Sequence, residues 1–465
     1  MNAPVTSITL PLRFVVAGLL ALVTGVAALV LRPELLSTYH YNQYVIAATH
    51  LFVLGWLCSI VMGAMYQLVP VALETRLYSE RLAAWQFVFH VVGFTGMVWM
   101  FWTWNLKQVG HFGSILAVGV VLFVYNLVRT LARVPRWNVV ATGVASALMW
   151  LSLTVLAGLA IAAGKCSYES AAALAPGSAA GPFLRGLRAV AAFVTHFDAL
   201  NAMHAHAHLG VVGIFLMMIV GVSYKLVPMF TLSEVQSRRR AALSVLLLNG
   251  GLAGSFILIL IHSRFKFLGA LVIVAGLALY GLEIIAILRA RKRRALDWGL
   301  KYFLTAIALL APLSGLGLVL AWPGLPLTAL TGQLENAYGF LALIGVVSFA
   351  IIGMLYKIVP FLAWYAAYSK RIGLSPVPSL AELYSSSLQV AGYWSYVAGL
   401  AVTTVGIVLG SANGVHYGCV LLALSLLVLV VNLAKILSHI VRPVAAPAKD
   451  TAKQVILHTP SKYEC

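Results

Sequence analysis

Charge is scarce in this chain. Of its 465 residues only 9% are charged, and Asp and Glu together number 12. A chain this long would ordinarily form several soluble domains, but 62% hydrophobic residues and a mean hydropathy of +0.97 exclude that organisation. Cysteine is equally sparse. Cys58, Cys166, Cys419 and Cys465 stand far apart, with no C-x-x-C and no C-x-x-C-H. That excludes a thiolate zinc site and covalently attached c-type haem. The first apolar run follows a single basic residue, Arg13, and has no small-residue cleavage site, so it reads as a retained span and not as a signal peptide.

What is abundant is long apolar segments. Twelve are expected to cross a bilayer, at 9–31, 42–71, 81–104, 109–133, 137–163, 200–229, 237–262, 265–289, 299–322, 335–366, 387–411 and 415–440. Each approaches or exceeds the ~20 residues a helix needs to span the hydrocarbon. The formal net charge of +19 does not point to nucleic acid. Most Lys and Arg fall on alternate connections, with Arg289-Ala-Arg-Lys-Arg-Arg294 the strongest cluster, and the connections before spans 10 and 12 hold none. This asymmetry predicts a cell inner (cytoplasmic) membrane protein with both termini in the cytoplasm, its surplus charge facing anionic lipid. A single membrane domain over 1–441 is expected, with 442–465 as a disordered cytoplasmic tail.

The most informative stretch is His204-Ala-His-Ala-His208, which opens an apolar segment running to Pro228. On a helix His204 and His208 share a face and His206 lies nearly opposite. Imidazoles at membrane depth are costly and call for a ligand or a partner. Capping in the headgroup region is the simpler alternative for any one of them.

Span 6 also aligns with spans 2 and 10. Setting His50, His208 and Phe340 at position zero superposes Gly55/Gly213/Gly345, Gly63/Gly221/Gly353, Tyr66/Tyr224/Tyr356 and Pro70/Pro228/Pro360. Copies four spans apart predict three four-helix units in series, roughly 1–163, 164–289 and 290–441. The glycines are expected to admit close helix neighbours, and the prolines to help end the spans.

Other residues carry weaker signals. His40 reads as interfacial. His90, near mid-span, reads either as a metal ligand or as one side of an interhelical hydrogen bond. His196 and Asp198 precede span 6, and Asp198 either orients an imidazole or caps the helix. Glu283, the one carboxylate well inside a span, is expected to pair with Arg289 or Arg291. The segment Phe183–Val194 has the pattern of a short basic surface helix. All twelve histidines except His90, His439 and His458 fall in the expected outer half, a skew that points to metal or haem chemistry there.

These residues resemble the catalytic subunit of the haem–copper oxidase superfamily, in particular C-type oxidases and bacterial nitric oxide reductases. His50, Trp56, Gly63, Tyr66 and Leu68-Val-Pro70 are similar to that family's second helix. His208-x4-Gly213-x7-Gly221-x2-Tyr224-x3-Pro228 is similar to its sixth and tenth, and His206-Ala-His208 to the His-x-His that serves two haems. The resemblance implies an all-α protein of twelve helices in pseudo-threefold four-helix repeats, and haem, of the non-covalent b type, or copper near the outer side. It also implies electron transfer or O2/NO chemistry, with a redox subunit or a cytochrome as partner. The residues it implies are His50, His206 and His208 for haem and His204 or His208 for copper, with Tyr338 close by; the reading of the residues themselves adds His90 to the metal candidates and His196 and Asp198 around them. Two departures stand against a full ligand set. Phe340 replaces the histidine of the tenth helix, and span 7 lacks the adjacent histidine pair of the copper site. A related expectation is a role in the nitric oxide response. The alternatives are an oxidase-like protein without cofactors and a twelve-span transporter, although transporter repeats usually come as two inverted halves.

Overall fold

A computed structural model of the chain describes residues 8–171, 186, 192, 193 and 195–443. The expected surface helix at 183–194 and the tail from 444 onward lie outside the described residues almost entirely. The described chain is all-helical. Among the described residues, twelve helices are long and apolar enough to cross a membrane. Spans 1 to 6 are Thr9–Leu31, Gln43–Ala72, Glu80–Trp102, Leu106–Leu131, Val139–Lys165 and Ala199–Thr231. Spans 7 to 12 are Arg238–Leu260, Lys266–Arg289, Trp298–Ala321, Ala329–Arg371, Ser386–Val408 and Ala412–Val441. Side chains of Asn42, Ser79, Asp198, Ser237, Thr328 and Ser385 accept the first free backbone N–H groups and so set where six of these helices begin.

Burial separates the spans into an inner three and an outer nine. Spans 2, 6 and 10 are 56%, 89% and 78% buried over their most apolar stretch, against 17–39% for the others. The inner helices are therefore the three that carry the repeat. Their contacts repeat as well. A Cβ added at Gly63 would lie 2.5 Å from Phe14 Cβ on span 1, one at Gly221 2.9 Å from Gly143 Cα on span 5, and one at Gly353 2.6 Å from Gly299 O on span 9. Each inner helix thus touches the span that precedes it in sequence at the same register, where a methyl group would not fit.

Two further features recur. Immediately after position zero each inner helix widens into eight π-helical residues, Leu51–Cys58, Leu209–Leu216 and Leu341–Ser348. Such segments are rare and tend to occur at functional sites. The helices after the inner spans begin at Ser79, Ser237 and Ser385. The side chain that receives each serine's backbone N–H comes from the helix two spans after the inner one: Asn126 at 3.0 Å, Glu283 at 3.0 Å and Asn432 at 3.0 Å.

Two expectations change here. Glu283 is fully buried and pairs with Arg240 at 2.7 Å, not with Arg289 or Arg291, because its structural task is at the start of span 7. The prolines do not uniformly end the spans. Pro70 and Pro228 lie in the last turns, but span 10 continues past Pro360 to Arg371, since proline's cost falls on the carbonyl four residues earlier, that of Tyr356, and not on the chain beyond it.

Candidate metal centre

The first residues of spans 2, 6 and 10 meet at one end of the bundle, called here the histidine end. His50 and His208 occupy the same register on two of the inner helices, and their imidazoles are held alike. His50 Nδ1–H donates to Ile46 O at 2.8 Å, and His208 Nδ1–H donates to His204 O at 2.8 Å. With the proton committed to Nδ1, each Nε2 carries a lone pair, the state in which imidazole binds a metal. His50 lies against the Phe101 ring, centroids 4.6 Å apart, and His208 is stacked with Tyr338 at 6.1 Å.

His206 points elsewhere, as the helical angle requires. A Cβ at Gly158 on span 5 would meet its Cε1 at 3.0 Å, so this glycine makes room for the ring. Its Nδ1 is buried without a hydrogen-bond partner, and His50 is within electrostatic range.

His204 brings in residues the sequence reading did not join to the cluster. Its Nε2 lies 3.1 Å from Nε2 of His40, on the strap that links spans 1 and 2. The other ring nitrogen of His40 bonds to Asn336 Oδ1 at 3.1 Å. Glu335 from span 10 comes within 3.9 Å of His40 Nε2. One ligand atom from each of His40, His204 and Glu335 lies within 4.8 Å of the others. Burial lowers the His40 pKa, opposed by its hydrogen bond to Asn336, so the neutral, metal-binding form is favoured. His40, read as interfacial, is a half-buried member of the cluster. Glu335 had no visible signal, because its partners lie hundreds of residues away in the chain.

The remaining candidates are placed as follows. His90 is fully buried between spans 2 and 3, where its Nε2 bonds to Ser59 Oγ at 2.9 Å and its Nδ1 is unpartnered. Asp198 caps span 6 by accepting from the N–H groups of Leu200 and Asn201. His196 is exposed and bonds to Ala192 O. His262 bonds to Asn201 Oδ1 and His416 to Val30 O, so neither ring joins the cluster.

The donor set fits an imidazole-bound metal on spans 2 and 6, with two free Nε2 atoms and one orphaned Nδ1. It does not fit a porphyrin held between spans 2 and 10, because Phe340 offers no donor. An apolar cavity of about 20 Å³ lies among Phe52, Ile344, Ser348 and Tyr396, which is room for one water molecule.

The sequence profile of the family Cytochrome C and Quinol oxidase polypeptide I matches residues 2–109, which include spans 1 to 3 and His50. No curated protein matches the sequence. The fold is similar to that of a haem–copper terminal oxidase that forms a dimer, solved by cryo-electron microscopy, with a TM-score of 0.63 and 12% identity over 94% of this chain and 84% of that one. With twelve spans and an inner trio that carries the repeat, the chain has a fold similar to that of a haem–copper terminal oxidase, and its first three spans match the sequence profile of that oxidase polypeptide I family.

Proposed function

We propose that this membrane protein binds non-covalent haem at the histidine end, through His50 and one of His206 or His208, and serves electron transfer or the handling of O2 or NO. The observation that carries this reading is the matched pair His50 and His208, each with Nδ1–H on the carbonyl four residues earlier and Nε2 left free. Bound haem would supply reversible one-electron iron chemistry. The chain's own residues orient and shield. The two Nδ1 bonds fix the imidazole planes, Tyr338 and Phe101 flank the rings, and Trp56 Nε1 donates to Ser348 Oγ at 3.0 Å, tying spans 2 and 10 together just inside the bundle. Imidazole also suits copper, and the same donors serve it. The histidine end faces away from the cytoplasm in this reading, toward a redox subunit or cytochrome that delivers electrons, and the three four-helix units form one membrane domain.

A second reading, an oxidase-like protein without haem, is favoured by one observation: Phe340 fills the third zero position and is buried in the core. Purification in mild detergent, an absorption spectrum and metal analysis separate the two. A Soret band or stoichiometric copper supports the first reading, and neither supports the second.

A further inference from the structure

We propose that His40 Nε2, His204 Nε2 and the Glu335 carboxylate bind one divalent first-row transition-metal ion outside any porphyrin. The site would clamp the strap between spans 1 and 2 onto spans 6 and 10. It uses none of His50, His206 or His208 and does not rest on the haem reading.

Hydrogen-bond geometry fixes which nitrogen of His40 is bare. Asn336 Nδ2 donates to Thr38 O at 2.6 Å and faces two further acceptors, Leu36 O at 3.4 Å and Gln333 Oε1 at 3.2 Å. That orients the amide, so its Oδ1 accepts from His40 Nδ1–H. His40 Nε2 then carries a lone pair, directed at a second imidazole nitrogen 3.1 Å away. Two nitrogens so close need something shared between them, either the Nε2–H of a neutral His204 donated to His40 or a metal ion bound by both.

Glu335 distinguishes the two. A neutral N–H···N pair has no use for an adjacent carboxylate, which places more lone pairs beside the bare nitrogen at 3.9 Å. A dication has a use for it. Lys266 lies within electrostatic range of both His204 and Glu335, but among the described residues it forms no ion pair with the acid, whose ion-pair contact is to His40 Nε2. The separation of the two nitrogens is what two donors adopt on one ion at about 2.0–2.1 Å. A small rotation of the flexible Glu335 side chain completes the set. The Asn336 amide on the far nitrogen of His40 is the outer-shell partner that metal-bound histidines usually have.

Two imidazoles and one carboxylate suit zinc, iron(II), manganese or copper, and not calcium or magnesium, which take oxygen ligands. Three protein donors leave a position for water. The ligands come from the strap, span 6 and span 10, one from each four-helix unit, so the ion would close the histidine end of the pseudo-threefold axis.

The test uses the full chain in detergent, stripped with a chelator, desalted and titrated with Zn2+ alone. Wild type is expected to retain a single Zn2+ and to melt at a higher temperature with it. Glu335→Gln and His40→Gln are expected to weaken binding by at least the roughly 10–100-fold that loss of an outer-shell partner costs. X-ray absorption at the zinc edge of wild type should show nitrogen and oxygen donors, with two imidazoles, at about 2.0–2.1 Å. That measurement decides the matter if the variants fail to fold. No retained Zn2+, a sulfur ligand, or unchanged affinity in both folded variants overturns the proposal. A wild-type preparation with Zn2+ and no Soret band removes the haem reading and leaves this one standing. A Soret band without Zn2+ does the reverse.

Discussion

The fully buried carboxylate of Glu283 accepts the backbone N–H of Ser237 at 3.0 Å, in the place where Asn126 serves Ser79 and Asn432 serves Ser385. An acid within a membrane span usually marks a functional site, yet the two other units do the same work with asparagine. The second unit differs in having Arg240, whose Nε donates to Glu283 Oε2 at 2.7 Å. The charge is thus a local variation on a capping device that all three units need.

Removing the two partners should therefore have unequal effects. Arg240→Ala leaves a buried, uncompensated carboxylate and should cost about 3–5 kcal/mol. Glu283→Gln keeps an acceptor for the two backbone N–H groups and frees an arginine that is already partly hydrated, so about 1–3 kcal/mol is expected. Thermal unfolding of the two variants in the same detergent checks the order. A larger loss for Glu283→Gln would assign the acid a role beyond the cap.

The glycine contacts make a second contrast. At Gly143 an added Cβ would lie 2.5 Å from Gly221 Cα, backbone against backbone, with no flexible side chain to yield. Gly143→Ala should destabilise by about 1–3 kcal/mol through overpacking between spans 5 and 6. Gly250 on span 7 has nothing within 4 Å of its would-be Cβ, so Gly250→Ala should be neutral or stabilise by up to roughly 1 kcal/mol. Paired melting curves would show whether this contact holds the unit together.

His90 should prove structural. Its hydrogen bond to Ser59 joins spans 2 and 3, and it is absent from the group able to share a metal. His90→Ala should cost roughly 2–5 kcal/mol, as for other large-to-small core changes, while metal content and absorption stay at the wild-type level in whatever fraction folds. Loss of a cofactor signal from well-folded His90→Ala would return it to the ligand set.

Much of this architecture was legible in the sequence because lipid leaves few options. Long apolar runs must be helices, so the twelve spans matched to within a few residues, apart from the ends of span 10. The triplicated Gly, Tyr and Pro marked the three inner helices because close packing there tolerates few substitutes. The π-helical segments left no sign, since their sequences, such as Leu-Gly-Val-Val-Gly-Ile-Phe-Leu, read like any apolar helix. Glu335 was hidden for a different reason. Its neighbours are set by how three units close around an axis, and no local pattern reports that. The capping acceptors could have been found. Ser79 and Ser237 stand at the same offset from His50 and His208, and extending the repeat beyond the inner spans leads to Asn126, Glu283 and Asn432.

The central claim is that imidazoles at the histidine end exist to hold a redox metal, and the visible spectrum of the purified full-length protein tests it most directly. Wild type should show a Soret band, or in its place stoichiometric copper, and His50→Ala should lose most of that signal while eluting as a folded protein. A well-folded wild type with neither haem absorption nor copper, or a signal untouched by His50→Ala and His208→Ala alike, would contradict the account.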